Sequence, residues 1–552
     1  MSLLEEFVCT KFSSYEDFSS NYRVNAPEGF NFAYDVIDRI AKEEPSRRAM
    51  LWVSRDNKER SFTFGDMSRL SNKAANVFTA LGVQKGDTVM LVLKRRYQFW
   101  YALMALHKIG AIGIPSTHLL TPNDYDYRAN AAGSVMILSV NEPEVVEHIK
   151  NAKERLKTVR AYGLIDGDAP EGFVDFDALV EAASDDFPVP MPRPGGKDLL
   201  LLYFTSGTTG YPKMVCHDHY YPLGHIPTAW FWHCVVPDGL HFTISDTGWG
   251  KAAWGKLYGQ WLSSAGIFTY DFDKFDAHDI LDKMQKYRIT TFCAPPTMYR
   301  YIIKEPLEKY DLSSLKHVTT AGEALNPEVY HRFKEAVGLE IHEGFGQTES
   351  TLMLATFPGM QLKTGSMGRV TPGYEVVVLD AECNESAIGE PGEICICTKN
   401  GKPLGMFSGY YKDPELTATA WHDDYYHTGD VAWKDGDGYF WFVGRSDDVI
   451  KSSGYRIGPF EVESAMMEHP AVLEVAVIGV PDPDRGALVK ASVVLAKGYE
   501  PSESLKKELQ DHVKRVTAPY KYPRIVEFVE SLPKTISGKI RRVQLREESK
   551  QK

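Results

Sequence analysis

The chain has 552 residues, 43% of them hydrophobic and 25% charged, and carries a formal net charge of −12. That length exceeds one ordinary core, so at least two domains are expected, and the composition excludes a disordered or fibrous chain. The acidic balance argues against a dedicated nucleic-acid binder, which needs a basic footprint, although local basic loops can still hold anionic small molecules.

The opening Met1-Ser-Leu-Leu-Glu-Glu lacks the basic and apolar regions of a signal peptide and the arginine-rich pattern of a transit peptide. The most apolar stretch, Tyr101 to Pro115, is interrupted by His107, Lys108 and glycine or proline positions, well short of the ~20 residues that span a bilayer. No stable membrane insertion is expected. An odd count of seven cysteines fits a reducing compartment, and the expected location is cytoplasmic. A homodimer is left open.

Asp87 to Lys94 reads as a buried strand, Tyr97 to Lys108 as the helix after it, and Ala111 to Pro115 as the next strand. Leu199 to Phe204 is another buried strand that runs into a loop of glycine, threonine and serine. This alternation predicts α/β layers with largely parallel sheets, which place ligands at strand exits. From about Lys363 the pattern turns to alternating apolar and polar residues with frequent glycine, as in Tyr374 to Leu379, Gly392 to Thr398 and Tyr439 to Val443. That predicts a small β-rich subdomain, antiparallel or barrel-like, over 363–446. Within it, Cys395-x-Cys397 points two thiols alike from one strand without completing a zinc set, and reads as core. Beyond it come a helix (Phe460 to Glu468), two strands (Val475 to Val480 and Val489 to Ala496), a helix (Ser504 to Arg515) and a basic tail. The expected division is therefore a large α/β domain, 1–446, and a mobile α+β domain, 447–552, meeting at Asp447.

The strongest local signal is Thr205-Ser-Gly-Thr-Thr-Gly-Tyr-Pro-Lys213. Its glycines Gly207 and Gly210 let the backbone turn N–H groups toward an anion, the hydroxyls of Thr205, Ser206, Thr208 and Thr209 add donors, and Lys213 supplies a point charge for a polyphosphate. The spacing is not that of the nucleotide P-loop, since no Lys-Ser or Lys-Thr follows the second glycine.

With Tyr203-Phe204 before it, this loop resembles the phosphate loop of the adenylate-forming superfamily, which includes acyl-CoA synthetases, peptide-synthetase adenylation domains and luciferases. The resemblance continues in order from about residue 200 to 542. Ala321-Gly322-Glu323-Ala324-Leu325 resembles the adenine-contacting segment. Gly344-Phe345-Gly346-Gln347-Thr348-Glu349, with Glu343 before it, resembles the signature that follows. His427-Thr-Gly-Asp430 resembles the ribose motif, Gly444-Arg445 through Gly454-Tyr-Arg456 the hinge motif, and Pro533-Lys-Thr-Ile-Ser-Gly-Lys539 the motif of the catalytic lysine.

The resemblance implies ATP, CoA and Mg2+ as cofactors. Asp430 would accept both ribose hydroxyl protons, Glu349 with a loop threonine would serve Mg2+, and Arg445 and Arg456 would meet phosphate oxygens. Lys539 would stabilise the charge built as a carboxylate attacks the α-phosphate. CoA would follow Ser452-Ser453-Gly454, Arg485 and Tyr520-Lys521-Tyr522, segments most similar to the medium-chain acyl-CoA synthetase branch. With the sequence ending at Lys552, no carrier-protein domain is expected to follow.

The acyl pocket is expected from Trp232, Lys251, Trp254, Cys293 and Gly346. Acetate-specific relatives carry a tryptophan where this chain has Gly346, so the glycine predicts a deeper pocket. An uncompensated Lys251 would disfavour a purely linear fatty acid. The expected activity is an AMP-forming acid:CoA ligase for a medium-chain, branched or aromatic acid. The alternatives are a different acceptor, a short-chain synthetase, or an acyl-nucleotide sensor without turnover, which an intact Lys539 disfavours. His217-Asp-His219 with His225 and His233 invites a metal reading, but no third ligand follows at typical spacing, and a polar loop beside the nucleotide is expected.

Overall fold

A computed structural model describes residues 2–205, 212–323, 325–453, 455–534 and 540–551. Two large sheets carry most of the chain. An eight-stranded sheet runs in the order 409–410, 213–218, 199–205, 112–115, 88–92, 134–140, 161–165 and 174–175. A nine-stranded sheet runs 369–370, 352–355, 341–346, 317–321, 291–293, 240–243, 266–271, 48–54 and 59–63. Both are parallel through their centres and antiparallel toward an edge.

The expected strand at 87–94 is Thr88–Val92, and every one of its residues is buried. Such a run fits a strand covered on both faces. The helix expected at 97–108 is Gln98–Ile109, and it too is buried all round. A helix without a polar face belongs inside the molecule, and this one is tied to the segments packed around it. Trp100 Nε1 donates to the Lys256 carbonyl at 2.7 Å, and Lys108 Nζ pairs with Asp38 Oδ1 at 2.7 Å. Gly110 ends the helix at φ 81°, a left-handed turn that glycine adopts freely.

The β-rich region from 363 holds a five-stranded sheet of 376–379, 392–397, 425–434, 421–422 and 440–445. It is antiparallel, as expected. It is not a self-contained subdomain, however. Gly409 and Tyr410 pair with Cys216 and Val215 in the eight-stranded sheet, and Val215, Met353 and Leu354 enter the same core as Ile394 and Tyr426. Local alternation reports strands but not which sheet a two-residue strand joins, so this crossing was invisible in the sequence.

Beyond residue 447 lies a second centre of packing. The strands Val472–Asp482, Gly486–Leu495 and Ile525–Phe528 form one sheet, covered by the helices Pro459–Met467 and Glu503–Val516. The latter buries Leu505, Leu509 and Val513, one per turn, and starts where Ser502 Oγ accepts from the Leu505 N–H at 3.1 Å. Among the described residues, its core draws on positions from 450 onward.

Candidate active site

Thr205 ends its strand and faces Lys213 in register, so these two residues frame the loop between them. Ser206, Gly207, Thr208, Thr209 and Gly210 lie outside the described residues, as do Ala324, Gly454 and Lys539. Lys213 Nζ stands 5.1 Å from the centroid of the Tyr410 ring, and Tyr410 donates its hydroxyl to Glu349 Oε1 at 3.0 Å. The two-residue strand at 409–410 thus links the end of the phosphate-loop hairpin to the signature segment. Tyr410 was missed in the sequence because nothing local distinguishes it from other tyrosines. Burial raises the Glu349 carboxyl above the ordinary range, opposed by the Tyr410 bond and by the charges of Lys213 and Arg445. Such a carboxylate fits a cation ligand, since a nearby positive ion offsets the cost of ionising it.

A second line of contacts meets this one. Tyr426 donates to Gln347 Oε1 at 2.9 Å, while Gln347 Nε2 donates to the Thr428 carbonyl at 2.9 Å and to Asp430 Oδ2 at 2.5 Å. On the other side Arg445 Nη1 donates to Asp430 Oδ1 at 3.4 Å and to the Thr428 carbonyl at 3.1 Å. Asp430 and Arg445 are register partners on adjacent strands, which fixes that pairing. Burial opposes the charge of Arg445, but Asp430 and Asp447 outweigh it and hold its pKa above the ordinary value. The signature segment and the ribose and hinge motifs are therefore one polar cluster, although some eighty residues of chain separate Gln347 from Asp430.

Gly322 sits at φ 102°, open to solvent, with nothing within 4 Å of where a Cβ would stand. Its need for glycine is conformational rather than steric. Glu323 is exposed and accepts from Thr297 Oγ1 at 2.6 Å. Glu343 is buried, accepts from the Leu325 N–H at 3.3 Å, and has a pKa pushed up to about 8 by burial. Thr348 is held through its carbonyl, which lies 2.8 Å from His217 Nε2.

The acyl residues gather at the neighbouring strand ends. A Cβ on Gly346 would come within 2.4 Å of Trp254 Cη2, and one on Gly344 within 2.5 Å of Trp232 Cζ2. At Gly346 the Thr351 carbonyl would be met closer still, at 2.3 Å, so backbone and the Trp254 indole both pack against this glycine. Lys251 is also compensated, since its ammonium donates to the Ala321 carbonyl at 2.7 Å. The cost expected of an unpaired lysine therefore does not arise. Trp232 and Cys293 are fully buried in the surrounding core. His217, His219, His225 and His233 are all buried, His217 on the strand Lys213–Asp218, His225 at the end of the helical turn Tyr221–His225, and His219 and His233 in short turns adjoining the strand and the helical segments, so the segment is core rather than an exposed polar loop. The His217 ring stacks on Tyr221 at 3.8 Å, and burial holds its pKa down to about 3.

In the C-terminal unit, Ser453 takes φ 51°, its N–H donates to the Arg485 carbonyl at 2.8 Å, and Arg485 Nη1 reaches Ser453 Oγ at 3.5 Å. Tyr520 stacks on Tyr455 at 4.0 Å, and Lys521 pairs with Glu461 at 2.5 Å. Two groups of expected CoA residues are thus joined through one short hairpin, 450–457. Tyr522 lies further off, accepting from Arg524 Nη1 at 2.7 Å, and Ser452 is buried. Arg456 is exposed on that hairpin rather than gathered around Asp430. Asp447 pairs with Arg445 at 3.6 Å, while Asp448 pairs with Arg546 at 2.5 Å and Arg542 at 3.6 Å.

This architecture is that of an adenylate-forming ligase. The AMP-binding enzyme family matches residues 37–411, and the AMP-binding enzyme C-terminal domain matches residues 461–539. The mitochondrial acyl-coenzyme A synthetase ACSM3 of Rattus norvegicus is 41% identical over 544 residues, covering 97% of this chain and 93% of that protein. The mitochondrial acyl-coenzyme A synthetase ACSM5 of Homo sapiens is 42% identical, covering 94% and 90%. Among solved structures, the anthranilate CoA ligase AuaEII in complex with anthranoyl-AMP superposes with a TM-score of 0.87 at 29% identity, covering 95% of this chain and 98% of that one. A benzoate CoA ligase from Burkholderia xenovorans LB400 superposes at 0.81 with 26% identity, covering 94% and 100%. The chain belongs to the AMP-binding enzyme family, within its acyl-coenzyme A synthetase branch, and is an AMP-forming acid–CoA ligase.

Proposed function

We propose that the enzyme activates a medium-chain, branched or aromatic carboxylic acid. An oxygen of the acid attacks the α-phosphorus of ATP and pyrophosphate leaves. The sulfur of CoA then attacks the acyl carbon, AMP leaves, and the thiol proton passes to solvent. The observation that carries the reading is the junction of two contact lines, Lys213–Tyr410–Glu349 and Gln347–Asp430–Arg445. On this reading the cluster would hold a phosphate-side cation and a ribose-side carboxylate together, and preorganised charge of this kind lowers the barrier without reorganisation at the moment of reaction.

Asp430 would take the ribose hydroxyls, with Gln347 and Arg445 fixing its two oxygens. Thr205, Ser206, Gly207, Thr208, Thr209, Gly210 and Lys213 would hold the phosphates, and Glu343 to Thr348 with Gly322, Glu323 and Ala324 would line the base. Glu349 would ligate Mg2+, which when bound spreads the phosphate charge. Lys539 would supply the adenylation cation from the C-terminal unit. The 1–446 and 447–552 units would then reorient about Asp447, bringing Ser453, Arg485 and Tyr520 to CoA.

The acyl end supports a compact acid that packs against Trp254. The named substrates of the structural neighbours, anthranilate and benzoate, are flat acids of that kind. All seven cysteines are free, which fits a reducing compartment. Among the described residues no helix is long and apolar enough to cross a membrane. A cytoplasmic setting is retained here, though both relatives quoted are named mitochondrial, and cell fractionation decides between them. A homodimer is a further part of the reading, checked by light scattering.

The test is AMP formation across acetate, butyrate, octanoate, 2-methylbutyrate and benzoate, with and without CoA. The expected result is CoA-dependent turnover led by a branched or aromatic acid. Acetate leading the panel would overturn the acyl assignment, and turnover indifferent to CoA would overturn the acceptor.

A further inference from the structure

Outside the nucleotide cluster, three side chains of different chemistry converge on the face of the β-rich sheet that leads to the ribose turn. Glu393 and Cys395 lie two residues apart on the strand Gly392–Cys397, and His427 faces them from the adjacent strand, in register with Cys395. His427 Nδ1 is 3.0 Å from Glu393 Oε2 and 3.5 Å from Cys395 Sγ, and the three ligand atoms all lie within 4.8 Å of one another. We propose that Glu393, Cys395 and His427 form a binding site for a borderline divalent cation, with Zn2+ as the natural fit.

The distances carry the argument. Zinc bond lengths of about 2.0–2.1 Å to nitrogen or oxygen and about 2.3 Å to sulfur give tetrahedral edges of roughly 3.3 Å for N–O and roughly 3.6 Å for N–S. The observed nitrogen–oxygen and nitrogen–sulfur edges differ from these by only a few tenths of an ångström, and the oxygen–sulfur edge is no longer than 4.8 Å. A single Nδ1 carries either a proton or a lone pair, so it can satisfy one of its two neighbours but not both. An ion among the three satisfies all of them. The imidazole is held for this task by stacking on His422 at 3.9 Å. Glu393 is held by the Gly429 N–H, which donates to its other oxygen at 2.8 Å. Such outer contacts orient a ligand and raise metal affinity. The Glu393 side chain is 30% exposed, which gives an ion and a fourth, water ligand access from solvent. A set of one thiolate, one imidazole and one carboxylate selects zinc-like ions over magnesium, so the site would not compete for the Mg2+ of catalysis. On binding, the Cys395 thiol gives its proton to solvent and its sulfur bonds the metal. Gly429 precedes Asp430, so the carboxylate that holds the ion also holds the ribose turn.

The sequence placed Cys395 with Cys397 and found no zinc set. Glu393 on the same strand and His427, 32 residues from Cys395 on the next strand, complete one.

The experiment is Co2+ titration of the full-length, EDTA-stripped protein in buffer containing excess Mg2+. The expected result is one equivalent bound, with a thiolate-to-cobalt charge-transfer band that Zn2+ abolishes by displacement. Cys395→Ser should lose the band, and Glu393→Gln, at a partly exposed position, should weaken binding at least about ten-fold. Cys383→Ser serves as the control, because Cys383 is an exposed thiol outside the cluster, and it should retain the band. No band in the unsubstituted protein, or a band that survives Cys395→Ser or disappears with Cys383→Ser, would overturn the site. None of these readouts depends on turnover, so their failure leaves the ligase reading intact.

Discussion

The two ends of the site, which the proposed function assigns to nucleotide and acyl group, are built on opposite principles. Around Asp430 and Glu349 the polar atoms are tied to one another: Gln347 uses both ends of its amide, Arg445 bridges a carboxylate and a carbonyl, and Tyr410 caps Glu349. Around Trp232 and Trp254, both ring nitrogens of His225, the indole N–H of Trp232, His233 Nε2 and Thr228 Oγ1 are buried without a protein partner among the described residues. A fixed ligand such as ATP rewards preorganised donors and acceptors. On the proposed reading the acyl end would set its selectivity by shape, and the region carries polar groups that are tolerated only in their neutral form.

The largest expected effect breaks the comparison from the acyl side. Burial holds His217, His219, His241 and His317 down to about 3, and holds His107, His225 and His233 well below the ordinary value. These groups are neutral when folded but bind protons when unfolded below about pH 6.5. Stability is therefore fully present above that pH and falls as pH drops, by about 1.4 kcal/mol per group per pH unit. Glu343, raised to about 8, works in the opposite sense as pH rises from its unfolded value, as do Glu349, Asp177 and Asp218, which burial also raises. Cooperative unfolding by about pH 5 is expected, and thermal midpoints measured from pH 8 to 5 check it; a flat profile would show that the histidines are hydrated.

Next comes Lys539→Ala, expected to slow adenylation by about a thousand-fold while sparing thioester formation from preformed adenylate. Equal loss of both steps, measured by pyrophosphate release and acyl-CoA formation, would remove Lys539 from its assigned role. Asp430→Asn sharpens the nucleotide side. It exchanges charge-assisted hydrogen bonds for neutral ones, so KM for ATP should rise about ten- to a hundred-fold with a smaller change in kcat. The smallest effect concerns pocket depth. Trp254→Gly should shift preference toward longer linear acids, by roughly four-fold per added methylene, in a kcat/KM series from butyrate to octanoate. An unchanged chain-length profile would show that Trp254 does not set the depth.

Much of the architecture was legible from residue pattern. Buried strands such as Thr88–Val92 and Leu199–Thr205, the helix Gln98–Ile109 and the helices and strands beyond 459 lie within a few residues of where periodicity puts them. The order of motifs, from Thr205 to Lys539, also carries the family. These features are local: a side chain's burial follows from its position along a helix or strand, and a motif is contiguous by definition.

What only the tertiary structure decided is which distant residues share a space. Trp254 packs against Gly346, and Lys251 finds the Ala321 carbonyl. Tyr410 joins a phosphate-side lysine to Glu349 from a two-residue strand, and His427 meets Glu393 and Cys395 across a sheet. Each of these depends on strand register and on the packing of elements remote in sequence. Periodicity tells which face a side chain takes, but not which neighbour the fold will bring to it.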